Sequence, residues 1–306
     1  MIQAARKRDL DLIGVLVAVG LSAAVISTNL GAMLSAYDGG ISSSAATFTL
    51  HGLLPYRDYW LLYGPLSGFL LAIPSAILGP SVEVTRGIGF VVICTQAVVA
   101  YRVARVWAAP GPAIALAVSA VVMVPAIISL DVSAWPIAMT LALAALYMSI
   151  GTQRTGFGIG LVVGLTFLCR LDVGIYALLG VLLVRERRSV LLGFTVIAVP
   201  FIAIALATTG ADRLIEQLIW FPLVGPRQFR GIPGPEVLLG QPTATLLEVP
   251  LLILPRLAIV LAIARAIWLR SRHEPIRDVL GLLALVVFAA LCQLQTQGRA
   301  DVEHLA

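Results

Sequence analysis

The sequence predicts an all-α, polytopic helical membrane protein with about nine spans and with juxtamembrane helices on its outer side. Three observations carry that prediction. Hydrophobic residues make up 59% of the chain and charged residues 12%, a balance that would leave a soluble fold with far too much exposed apolar surface. Apolar runs near the ~20 residues that a helix needs to cross ~30 Å of hydrocarbon recur along the chain. The basic residues fall in short clusters between those runs, which is how membrane topology is encoded. The net charge of +5 therefore does not point to nucleic acid.

The elements follow in order. Arg6, Lys7 and Arg8 precede the first span, 12–31, and place the N-terminus in the cytoplasm. The apolar stretch to Leu30 is longer than a signal-peptide core and ends without a small-residue cleavage motif. A polar and aromatic stretch comes next, "AYDGGISSSAATFTLHGLLPYRDYWLLYGPLSG" (36–68). Within it, Ser42 to Ser44 open a short helix, about 42–51, that Gly52 stops.

The run 66–79 covers only about 21 Å at ~1.5 Å per residue, short of a ~30 Å core. Pro74 and Gly79 interrupt or end it. Letting it cross would put every later basic cluster on the wrong side, so it reads as a shallow helix at the outer interface. The remaining spans alternate from there. They are 86–107 inward to Arg102 and Arg105, 111–129 outward to Asp131, 134–150 inward to Arg154, and 156–168 outward to Arg170 and Asp172. Then come 173–184 inward to "RERR" (185–188), 189–208 outward, 249–269 inward to "RSRHEPIR" (270–277), and 279–295 outward.

The pieces 156–168 and 173–184 are each short for a span and share an Arg-Leu-Asp break. Either both reach part way, or "CRLD" dips into the membrane lined by protein. The domain organisation is then a transmembrane module, 1–208, with its first extracytoplasmic loop at 32–85. An outer loop follows at 209–248, and C-terminal spans with an outer tail occupy 249–306. Cys94, Cys169 and Cys292 each sit in an apolar run without paired spacing and read as core residues.

The outer side collects Asp38, His51, Arg57, Asp58, Tyr59, Tyr63, Asp131, Arg170, Asp172, Arg227, Arg230, Arg299, Asp301 and His304. Ionisable groups beside apolar helices are costly unless solvated or used, and most of these are solvated loop ends. Asp38 differs. It lies a few residues past the first span, where Gly39 and Gly40 let the backbone bend. A carboxylate held there suits a general base, against the plainer role of a helix-terminus acid. Arg170 is either the partner of Asp172 in a structural ion pair or a phosphate-binding arginine.

The segment "YDGGISSSAATFTLHGLLPYRDYWLLYGPLSGFLLAIPSAILGPSVEVTR" (37–86) resembles the first extracytoplasmic loop of the GT-C superfamily of polyprenol-dependent membrane glycosyltransferases. These include protein O-mannosyltransferases and mycobacterial arabinofuranosyltransferases. Members carry an acidic residue just after the first span. Two juxtamembrane helices follow, then a second span behind a glycine-to-arginine corner, here Gly79 to Arg86. The likeness covers roughly 1–200 in architecture and is weaker at "RLDVG" (170–174).

The resemblance implies that Asp38 takes the place of the catalytic acid and that Asp131 matches a second acidic position. It implies an enzyme of the plasma (inner) membrane in a bacterial cell envelope, with its active site outside. That enzyme would move a sugar from a polyprenyl-phosphate donor to a glycan, lipid or protein acceptor. Arg170 is then the first candidate for the departing phosphate, with Arg299 and His304 behind it. His51, Arg57, Tyr59 and Tyr63 complete the expected substrate-binding set, the aromatic residues seating the sugar or anchoring the interface. Many members have two adjacent acids, whereas Asp38 is followed by two glycines, so a divalent metal stays an open alternative. The chain ends at "QGRADVEHLA", where members usually continue, and a short or truncated member is expected. Two other classes stay open: a transporter or flippase for a lipid-linked anionic substrate, and a non-catalytic GT-C-like subunit.

Overall fold

A computed structural model describes residues 2–28, 38–127, 133–151, 155–221 and 248–296. Among them the chain is helical, without a β-strand. The helices are α1 (Ile2–Ser27), α2 (Asp38–Leu50), α3 (Leu66–Leu78), α4 (Val82–Ala104), α5 (Pro110–Ile127), α6 (Ala134–Ile150), α7 (Gly156–Cys169), α8 (Leu171–Leu182), α9 (Arg187–Thr209) and α10 (Ala211–Ile215). A π-helical turn (Glu216–Trp220) follows, then α11 (Glu248–Ser271) and α12 (Ile276–Thr296). The predicted all-α class holds.

From α3 on, the expected segments and the observed helices agree to within about four residues. Helix α1 starts at Ile2, well before the expected start at 12, and α2 starts at Asp38 instead of Ser42. Gly39 and Gly40 are therefore helical and do not form a bend. Gly39 is buried, a site where a missing Cβ favours packing. The hydroxyls of Thr47 and Thr49 bond back to the carbonyls of Ser43 and Ala45 within the helix. Gly52 ends the segment as expected, with φ +76°.

Val82–Ala104, Arg187–Thr209 and Ile276–Leu294 are long and apolar enough to cross a membrane. Six further apolar helical stretches among the described residues, in α1, α3, α5, α6, α7 and α8, are 10–17 residues long, so helix length alone does not establish about nine crossings. The faces turned away from the core are nevertheless apolar, with Leu192, Val199 and Ile204 of α9 and Leu254, Val260 and Ile267 of α11 all exposed.

Contacts sort the helix ends into two groups. At one end, Arg105 after α4 pairs with Asp11 of α1 at 2.9 Å. Trp107 packs against Ala266 and Leu269 of α11 and Val279 and Leu282 of α12. Arg185 after α8 and Arg277 in α12 both donate to the carbonyl of Gly151, which ends α6. Arg105, Arg185 and Arg277 thus share one end. At the other end Gly64 meets Cys169, and Trp135 in the first turn of α6 lies against Arg170. Helix α3 starts beside Cys169 and finishes where α4 begins, so it leaves the chain at the end it started from.

The centre of the bundle is built by α6, α7, α8 and α12, through small side chains such as Ala138, Ala142, Ala145, Ala177 and Ala284. The closest approach is between α7 and α9, which run parallel. Gly156 faces Ser189, Gly160 faces Val190 and Gly193, and Gly164 faces Ile197. A Cβ at Gly160 would overlap the Val190 carbonyl oxygen, and one at Gly193 the Phe157 carbonyl oxygen. Three glycines spaced by four on α7 form the small-residue seam that lets apolar helices touch backbone to backbone.

This seam gives a paired expectation. Gly160→Ala overpacks it and should lower stability by about 1–3 kcal/mol. Gly87→Ala on α4, where an added Cβ meets nothing within 4 Å, should be neutral or stabilise by up to about 1 kcal/mol. Thermal unfolding of both variants in one detergent checks this, and equal midpoints would remove the seam's claimed role.

Candidate functional site

The site grows from the segment between α2 and α3. Tyr56 is 3% exposed and holds φ +65°, a backbone region unfavourable for a bulky residue unless its surroundings enforce it. Several contacts do so. Its N–H donates to the Tyr59 carbonyl at 3.1 Å, and its hydroxyl donates to the Tyr63 carbonyl at 2.8 Å. Its ring packs on Phe201 of α9, with centroids 6.3 Å apart. Burial, with Tyr59 nearby, pushes the Tyr56 phenol well above its ordinary pKa.

Gln217, buried in the π-helical turn, clamps the same segment. Its Nε2 donates to the Tyr56 carbonyl at 2.9 Å, and its Oε1 accepts from the Leu61 N–H at 3.1 Å. The segment then descends to Gly64, whose N–H donates to the Cys169 carbonyl at 3.0 Å. A Cβ on Gly64 would overlap the Leu168 carbonyl oxygen, so only glycine fits there.

Cys169 ends α7, and Arg170 is extended, with φ −147° and ψ 118°, before α8 begins. The two helices run antiparallel from this elbow, with Gly174 against Phe167. The two predicted halves are thus separate helices of 14 and 12 residues. The Arg170 guanidinium grips Asp172 at two points, Nε to Oδ1 at 3.1 Å and Nη2 to Oδ2 at 2.7 Å. Asp172 Oδ1 also accepts from the Val173 N–H at 2.8 Å. The rings of Trp135 and Tyr63 lie 4.6 Å and 5.3 Å from the guanidinium carbon, close enough for cation–π attraction. Side-chain exposures of 13% and 29% put the pair in a recess. Phe201 packs on Phe167, and α9 runs on to Thr209, roughly 8 Å above the level of Arg170.

Of the predicted residues, Tyr63, Arg170 and Asp172 therefore come together. Others do not join them. His51 lies just past the end of α2 and bonds its own helix, Nδ1 to the Thr47 carbonyl at 2.8 Å. Arg57 and Asp58 form an exposed ion pair at 2.9 Å. The Arg57 bond, helped by the Leu54 N–H, holds the Asp58 carboxyl below the usual carboxylate range. Tyr59 shares a hydrogen bond with Thr49 at 3.3 Å and stacks on Phe48. Asp38 is the first residue of α2, which is 13 residues long, so about 20 Å of helix separates it from His51. The Asp38 side chain, Asp131, Arg299 and His304 lie outside the described residues, as do Arg227, Arg230 and Asp301. Among the described residues no three His, Cys, Asp or Glu side chains group as a metal site would require.

Sequence reasoning missed Trp135, Gln217 and Gly64. Gln217 carried a weak signal, a neutral amide next to Glu216 in the largely apolar "LIEQLIWF". Chemically, the recess offers a guanidinium already held by a carboxylate and flanked by aromatic faces. An anion arriving there competes with Asp172 for the guanidinium. Comparison with protein-family models, with curated proteins and with solved structures finds no match.

The clamp predicts that Gln217→Leu, which keeps the volume and removes both bonds, strands two backbone groups. A stability loss of about 1–3 kcal/mol should follow. Proteolysis should then open the chain between 53 and 63 before any other described segment. Cleavage elsewhere at the wild-type rate would show that Gln217 does not hold this segment.

Proposed function

We propose that the chain is a membrane glycosyltransferase of the GT-C type. In this reading it takes a sugar from a polyprenyl-phosphate donor and passes it to a hydroxyl of a glycan, lipid or protein acceptor. The observation that carries the reading is one of placement. The helix that opens at Asp38 and its partner α3 lie at the same end of the bundle as the Tyr63–Trp135–Arg170–Asp172 recess. The arginine clusters lie at the opposite end.

The chemistry needs two kinds of help. Asp38 acts as the base that takes the acceptor proton while the new C–O bond forms. Fixed positive charge stabilises the phosphate as the sugar–oxygen bond breaks. Arg170 supplies that charge, with Asp172 and the two rings keeping it oriented until the donor arrives. A divalent metal is not needed for this scheme, and the donor and surrounding lipid are the partners it requires. The N-terminus and the arginine clusters face the cytoplasm, and the recess faces outward.

One observation favours a second reading. Two short helices meeting at a charged break are a device that transporters use at substrate sites, so translocation of a lipid-linked anion is the alternative.

Purified protein incubated with radiolabelled polyprenyl-phosphate sugars separates the two. Turnover should appear for wild type and fall about 10²–10⁴-fold for Asp38→Asn, with donor binding retained. Movement of the donor across proteoliposomes without product would move the assignment to the transporter. Arg170→Lys, which keeps charge but loses the planar fork, should weaken donor affinity with little change in the unfolding midpoint. If the exchange Arg170→Asp with Asp172→Arg restores activity, Arg170 is structural only.

Sidedness has its own check. In a background lacking the native cysteines, Asp38→Cys and Arg187→Cys should react with an impermeant thiol reagent from opposite faces. Labelling of both from one face would reject the topology.

A further inference from the structure

We propose that Arg185 and Arg277 form a phosphate-binding site at the arginine-rich end of the bundle, opposite the elbow recess and independent of the reaction proposed there. The site is built where three elements converge. Helix α6 ends at Gly151, with its last carbonyls pointing out of the helix. Arg185 leaves the C-terminus of α8 and donates through Nη2 to the carbonyls of Met148, at 3.3 Å, and Gly151. Arg277, in the first turn of α12, donates through its own Nη2 to the same Gly151 oxygen. Two guanidiniums thus meet at one neutral acceptor.

A single basic side chain satisfies a helix C-terminus and suits its dipole. The second brings like-charge repulsion that the carbonyl cannot cancel. Among the described residues no carboxylate pairs with either arginine. Glu186 and Asp278 adjoin the two arginines in sequence, yet among the described residues neither forms an ion pair with them. Arg187 and Arg188 beside them are exposed and only add positive charge. The Nε of Arg185 is buried and makes no hydrogen bond among the described residues. A buried charged donor in that condition is costly. Burial, and then the charge of Arg277, both push the Arg185 pKa down, as expected for two cations facing each other without an anion.

One tetrahedral anion answers all of these features. Its oxygens accept from the guanidinium N–H groups of the two arginines that Gly151 and Met148 leave accessible, and its charge offsets the repulsion. The shared chemistry is a phosphate group, from inorganic phosphate or from the headgroup of an anionic phospholipid. Exposed Leu183 and Ile276 beside the two arginines offer apolar surface for acyl chains.

The test uses the full chain in neutral detergent and phosphate-free buffer, followed by thermal unfolding. One arm adds inorganic phosphate at ionic strength held constant with chloride. The other adds phosphatidylglycerol or, as control, phosphatidylcholine. A saturable rise of several degrees with phosphate or with phosphatidylglycerol is expected, because a ligand that binds only the folded state raises its midpoint. The responding arm identifies the source.

Arg277→Gln should shift half-saturation upward at least tenfold. Arg277→Glu is the sharper variant. It sets a carboxylate beside Arg185, so it should raise the midpoint without ligand and abolish the response. If chloride produces the same rise, the effect is screening and the site does not exist. If wild type ignores both phosphate sources while Arg277→Glu loses stability, the two arginines are helix caps and nothing more.

Discussion

The architecture depends on how closely α7 and α9 approach. Their backbones touch through Gly156, Gly160, Gly164 and Gly193, and that contact leaves no freedom to slide. Side chains that interlock at such a seam gain dispersion contacts on every turn. The seam holds α7 at a set height along α9. Phe167 then rests on Phe194 and Phe201, and α7 ends at Cys169. Everything in the recess is referred to that stopping point. The Cys169 carbonyl receives Gly64, Arg170 turns out of the helix, and Tyr63 is delivered above it. Neither α7 nor α8 is long, and their common elbow keeps its level because the longer α9 carries them.

The order and length of the helices were legible in the sequence, because apolar runs bounded by arginine clusters leave few ways to arrange a chain. The same reasoning placed the break at Arg170 and the short helix at 66–79. The start of α2 was misjudged for a physical reason. Paired glycines permit a bend but do not require one, and burial of Gly39 uses the same absence of Cβ for packing. The α7–α9 seam is visible in the glycine spacing, though nothing in that spacing says which helix lies opposite.

The site was legible only where its parts are close in sequence. Arg170 and Asp172 are two residues apart, and their pairing could be stated as one of two alternatives. Tyr63, Trp135 and Gln217 reach the site through tertiary contacts between segments far apart in the chain. No local pattern distinguishes such residues from interface aromatics or an incidental amide. Charge type alone also misleads. Arg57 and His51 carry the right chemistry for binding but spend it on their own neighbours. Arginine is used differently at the two ends of the bundle. At the elbow it has a carboxylate and two aromatic faces, whereas at the other end two arginines share a carbonyl.

The π-helical turn at Glu216–Trp220 makes the clamp on Tyr56 and Leu61 a matter of counting as well as of chemistry. A π turn holds one more residue than an α turn. Removing one residue from it would restore ordinary helix, and any residue of the turn that moves back by one position is carried about 100° around the axis. A deletion ahead of Gln217 would turn the amide away from the loop without changing a single side chain that touches it. Insertions and deletions here therefore act on the recess more severely than most substitutions. Related chains that lengthen or shorten this stretch by one residue would need a different way to hold the segment over Arg170.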